Sequence, residues 1–144
     1  TLSFGTVVPV RETESEVFEK DSVILYDGER YRGYAYINPT KKRVTLLSVS
    51  EEGLPVENIY YDNIIHICVY KGKERLFSKD IKKEMFERVV PADFLSNAIL
   101  SDMDFVRVDG KGYRYVATLC IPDGASCYNV HLDIDKNGNI VFSR

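Results

Sequence analysis

The chain has 144 residues, 44% of them apolar and 28% charged, with a formal net charge of −3. That is one domain of ordinary length with enough apolar material for a real core. The mild acidity gives no drive toward nucleic acid or an anionic membrane, and no apolar run is long enough for a transmembrane span.

Ten Tyr and seven Phe, no Trp, and many Val and Ile favour sheet. Residues 1–16 read as an edge segment or polar stalk, and residues 17–144 as a single β-rich domain. The chain opens on Thr1 rather than Met, so a trimmed start or a removed leader is expected. SVILYDGERYRGYAYI (22–37) predicts a hairpin turning at Asp27-Gly28, and NPTKKR (38–43) predicts a second turn. VTLLSV (44–49) follows as a strand, then the EEGLP loop. Residues 57–77 hold another strand pair turning near Lys71-Gly72-Lys73. Ser78 is placed to cap a helix through SKDIKKEMFERVV, with Ile81, Met85, Phe86 and Val89 on one side. Pro91 ends it and opens a second helical turn, ADFLSNAIL.

The last third alternates at period 2. Pairing Ile121 with Ser126 across the Pro122-Asp123-Gly124-Ala125 turn sets Leu119 against Tyr128, Ala117 against Val130, Tyr115 against Leu132 and Tyr113 against Ile134. The opposite face pairs Cys120 with Cys127, Thr118 with Asn129, Val116 with His131 and Arg114 with Asp133. DIDKNGNI (133–140) carries the first ligands of a calcium loop, but the twelfth position is Arg144, a cation, and both flanks alternate like strands. A three-residue turn at Lys136-Asn137-Gly138 instead pairs Ile134 with Ile140 and Leu132 with Phe142. The expected fold is therefore α+β and β-dominated. It is an antiparallel sheet or partly closed barrel of about six strands, then a short helical pair before a C-terminal three-stranded meander.

Cross-strand Cβ atoms lie about 4.5–5.5 Å apart and a disulfide needs about 3.5–4.5 Å, so Cys120 and Cys127 are either bridged or packed as two thiols. Cys68, in an apolar run, reads as an inert buried thiol. No CxxC pair, phosphate loop, nucleophile elbow or HExxH occurs, and no metal or cofactor is expected. His66 reads as a satisfied core residue and His131 as a solvated strand residue.

The binding clue is RYRGYAY. Tyr34 and Tyr36 share one strand face with Arg30 and Arg32, while Tyr31 shares the other with Ala35 and Ile37. Flat phenol rings and the guanidinium fork suit a glycan or a peptide partner.

FVRVDGKGYRYVATLCIPDG (105–124), the paired cysteines and the strand-DxxG-strand ending resemble DUF4738, a family of small proteins of Gram-negative gut bacteria whose role is uncharacterised. The resemblance covers the chain from Val17 onward. It implies export to the periplasm or cell surface, as a lipoprotein whose leader and anchoring cysteine lie outside these residues. Oxidising compartments preserve disulfides, so it also favours the Cys120–Cys127 bridge. It brings no catalytic pattern.

Two functions are consistent with this reading. The first is a non-enzymatic envelope module that binds an envelope protein or glycan through an exposed sheet face carrying Arg32, Tyr34 and Tyr36. The second is a small ligand-carrying or hydrolase-like barrel with His131 or His66 lining a pocket. The balance of the sequence points away from an enzyme.

Overall fold

The computed structural model describes residues 10–13, 16–122, 124 and 126–144. Most of the 1–16 segment and two residues of the 122–125 turn lie outside the described residues. Strand dominates, in two sheets that share one core.

The first sheet has five strands and curls into a half-barrel. β2 (Phe18–Tyr26) and β3 (Glu29–Val49) form a hairpin at Asp27-Gly28, where both residues take positive φ, 51° and 74°. That is the two-residue turn whose twist matches its flanking strands. β4 (Pro55–Lys71) pairs with β3 along its length, and β5 (Glu74–Ile81) pairs with the second half of β4. β1 (Val10–Glu12) lies parallel to β4, a departure from the all-antiparallel expectation.

The NPTKKR segment does not turn. β3 runs through it, and the register against β4 shifts between Pro39 and Arg43. A bulge absorbs the proline, which has no N–H for the ladder. The Thr40 hydroxyl donates to the Asp62 carbonyl (2.9 Å) and ties the bulge to β4.

The predicted helix over residues 78–90 is also corrected. Ser78 lies inside β5, and only a 3-10 turn, Lys83–Phe86, follows. A second short piece, α1 (Ala92–Ser96), is five residues long. The predicted apolar side still faces inward: Ile81 and Phe86 are buried, and Met85 and Val89 pack partly buried against the core. Strand pairing to β4 prevails over helix propensity in 78–81, because it satisfies the backbone while keeping Ile81 in the core.

The second sheet has four antiparallel strands rather than three, in the order β6-β7-β8-β9. These are β6 (Ile99–Asp109), β7 (Gly112–Cys120), β8 (Cys127–Asp135) and β9 (Ile140–Ser143). Ile99 and Leu100 open β6 instead of closing a helix. Leu119 pairs with Tyr128, Tyr115 with Leu132 and Arg114 with Asp133, and Leu132 pairs with Phe142. These are the pairs that the apolar alternation demands. At the last turn Gly138 has φ 86°, and the Asp135 carboxylate accepts from the backbone amides of Asn137 (2.8 Å) and Asn139 (2.9 Å). The acidic motif therefore caps a turn. Cys120 and Cys127 are joined in a disulfide, and Cys68 is a free, buried thiol.

Apolar inner faces hold the sheets together. Ile65, Ile67 and Val69 meet Met103, Tyr115, Leu119 and Leu132, all fully buried. Each aliphatic side chain so buried contributes about 1.5–3 kcal/mol. Gly33 lets the sheets close up: a Cβ there would stand 2.2 Å from the Phe105 ring. The Tyr115 hydroxyl crosses the interface and donates to the carbonyls of Tyr34 (2.9 Å) and Cys68 (3.1 Å). At one end, Asp62 accepts from the Leu100 amide (2.8 Å) and the Asn63 amide donates to the Leu100 carbonyl (2.9 Å). Two side chains thus do for β6 what a neighbouring strand would do.

Candidate binding site on the outer face of the first sheet

With Ala35, Ile37, Ile65, Ile67 and Val69 turned inward, alternation sends Tyr34, Tyr36, His66, Cys68 and Tyr70 outward. The ladder arranges them in two neighbouring rows across four strands. One row runs Glu19, Tyr36, His66, Asp80, and the next runs Asp21, Tyr34, Cys68, Ser78.

The tyrosines form a cluster. The Tyr34 and Tyr36 rings are 5.8 Å apart and within 7° of parallel. Tyr70 meets Tyr34 edge-on at 5.7 Å. All three are half-buried, so each presents part of its surface to solvent. Burial is the main cause that pushes the Tyr36 phenol above its usual range, so it stays a neutral hydroxyl. Cys68 lies on this outer face yet is 4% exposed, in the row beside Tyr34. Burial raises its thiol, which keeps it protonated and unreactive.

Arg32 is exposed at the edge of the cluster and pairs with Asp21 (3.2 Å). Beside it, Val23, Arg30, Arg32, Tyr34, Tyr70 and Gly72 line a groove of about 300 Å³. The structure thus brings Arg32, Tyr34 and Tyr36 onto one face and adds Tyr70, which sequence reasoning passed over.

His66 is not a core residue. Its side chain is 36% exposed, at the end of the tyrosine cluster, with its ring 6.2 Å from that of Tyr36. Its Nδ1 lies 2.7 Å from Asp80 Oδ1, and its Nε2 lies 3.0 Å from Ser78 Oγ. The helix expected at Ser78 hid this arrangement. The available signal was HIC on β4 and SKD on β5, two alternating pairs in one hairpin. His131 is on the other sheet, opposite Val116 and Ser143. The two histidines therefore do not share a site.

The outer face of the second sheet is built from ion pairs. Arg114 Nε and Nη2 grip Asp133 at 2.6 and 3.0 Å. That grip holds the Asp133 carboxyl below the usual range. A different concavity, of about 490 Å³, lies where Phe18, Ile37, Tyr60 and Tyr61 meet Lys20 and Asp102. Lys20 is bound there to Asp102 (3.0 Å) and Asp104 (2.6 Å). Among the described residues, no group of three or more His, Cys, Asp or Glu is placed to hold a metal ion, and no helix is long and apolar enough to cross a membrane.

Comparison with curated proteins finds no match. The model of a domain of unknown function, DUF4738, matches residues 5–142, beginning before the Val17 at which the sequence motifs place the resemblance. The chain belongs to the DUF4738 family.

Proposed function

We propose that this protein is a cell-envelope binding module that takes a glycan on the outer face of its first sheet. The observation that carries the reading is the near-parallel Tyr34–Tyr36 pair, with Tyr70 edge-on to it and Arg32 at its border. Flat rings held by a sheet give stiff apolar contact to the C–H face of a sugar, at little cost in side-chain entropy. The bordering guanidinium supplies donors for hydroxyl or carboxylate groups. Open placement suits a long ligand lying across strands better than a small molecule that must be enclosed.

The setting we propose is the periplasm or cell surface. The support is the Cys120–Cys127 disulfide, because reducing compartments do not maintain such bonds. The family resemblance adds the proposal of a lipid anchor on a preceding leader.

The test is calorimetric titration of envelope glycans into the wild type and into Tyr34→Ala and Tyr36→Ala. Loss of either ring should weaken binding about tenfold or more, as for other aromatic anchors. Unchanged affinity in the double variant would remove the tyrosine face from consideration. Binding of an envelope protein instead, lost in the same variants, would move the ligand class from glycan to polypeptide.

A further inference from the structure

We propose that Ser78, His66 and Asp80 form a nucleophilic relay on the outer face of the first sheet, able to take acyl groups from esters with good leaving groups. This adds a chemical activity to a face read above only as a binding surface, and it does not depend on glycan binding.

Hydrogen-bond chemistry sets the roles. An ionised carboxylate only accepts, so the 2.7 Å contact requires the His66 Nδ1–H to donate to Asp80 Oδ1. In the neutral ring Nε2 is then bare. It lies 3.0 Å from Ser78 Oγ, whose hydroxyl donates to it. The order is nucleophile, base, carboxylate, with each pair within hydrogen-bond reach, which is the arrangement that activates a serine.

The geometry is held by the sheet rather than by mobile loops. Asp80 is the cross-strand partner of His66, and Ser78 that of Cys68, one step along on the same face. The His66 ring is flanked by Tyr36 on the other side. Beneath the relay, Ile67 and Phe77 fix the two strands in the core. The register depends on one bulge: Val69 pairs with Phe77 and Tyr70 with Arg75, so Leu76 is the extra residue. Without that bulge, Ser78 and Asp80 would shift to the inward phase of the strand.

Exposure decides the substrate class. Ser78 is exposed, and the Asp80 side chain is 61% exposed. Water reaches the site and supplies the donors for a developing oxyanion, which stabilises it less than a dry, preorganised site does. Esters of phenols or other weakly basic leaving groups are therefore the substrates, because their departure needs little assistance. In the step, Ser78 Oγ bonds to the acyl carbon and its proton passes to His66 Nε2. The carbonyl re-forms, the C–O bond to the leaving group breaks, and the leaving group takes the proton from Nε2. Water then attacks the acyl-serine by the same route, releasing the carboxylic acid and restoring Ser78.

The experiment treats the intact folded protein with a fluorophosphonate probe, which phosphonylates activated serines with loss of fluoride. Adducts are located by peptide mass mapping. The expected result is an adduct on Ser78, absent in Ser78→Ala and formed about 100-fold more slowly in His66→Gln, the scale of general-base assistance. His66→Gln sits on an exposed strand face, and a thermal melt matching wild type keeps its result interpretable. No adduct on Ser78, or an equal rate in a folded His66→Gln, overturns the relay. Neither result bears on glycan binding, which the tyrosine variants test separately.

Discussion

The two sheets expose outer faces made by the same alternation, and they use their polar residues differently. On the second sheet the cross-strand partners are opposite charges and a disulfide: Arg114 meets Asp133, and Cys120 meets Cys127. Those groups satisfy one another and tie neighbouring strands. On the first sheet Tyr34 lies against Tyr36 and Tyr70, while His66 is held between Asp80 and Ser78. Those groups are oriented but keep part of their surface for something else. A polar face closed on itself supports stability, whereas one oriented and half-open is available for recognition.

That contrast can be tested by where changes hurt. The largest effect is expected at the joint between the sheets. Phe105→Ala empties the space against Gly33 and should cost about 3–5 kcal/mol of unfolding free energy, measured by urea denaturation. Next is the second sheet's own tie. Replacing Cys120 and Cys127 with Ala should cost about 2–3 kcal/mol, the scale for a short closed loop. A loss near zero would mean the meander holds itself without the bridge.

Tyr115→Phe isolates a single group. It keeps the ring and leaves the buried Cys68 carbonyl and the Tyr34 carbonyl without that donor, so about 1–3 kcal/mol should be lost in the same assay. The smallest effect is expected from the ion pair on the second outer face. Asp133 has a lowered folded pKa, chiefly through Arg114, so as pH falls the unfolded chain binds the proton first. Its contribution is present above the unfolded value near pH 4 and is lost as pH falls through the lowered folded value. Asp133→Asn should lower the urea midpoint slightly at pH 7, where the ion pair contributes, and the difference from wild type should vanish as pH falls through that acid window. If the tyrosine variants destabilise as much as Phe105→Ala, the distinction between a recognition face and a structural one fails.

Much of the second sheet was legible because its register is overdetermined. One alignment placed Tyr115, Ala117, Leu119, Val130, Leu132 and Ile134 on a single face, and one slipped residue would have put them all in water. Gly138 and Asp135 then marked the last turn. The first sheet was less legible. NPTKKR carries turn residues, yet the chain passes through it as a bulge, because β4 offers partners on both sides of the irregularity. SKDIKKEM carries helix formers, yet its first four residues extend β5.

The sequence by itself determined the strand-rich class, the Asp27-Gly28 and Asp135–Gly138 turns, the cysteine juxtaposition and the shared face of Tyr34 and Tyr36. Each follows from local backbone preference or from period-2 alternation, which need only neighbouring residues. The tertiary structure alone decided that Leu76 is the extra residue of β5. Leu76 and Phe77 are both apolar, so either could have filled the inward position. Packing against the second sheet selects Phe77, and that choice turns Ser78 and Asp80 outward to meet His66.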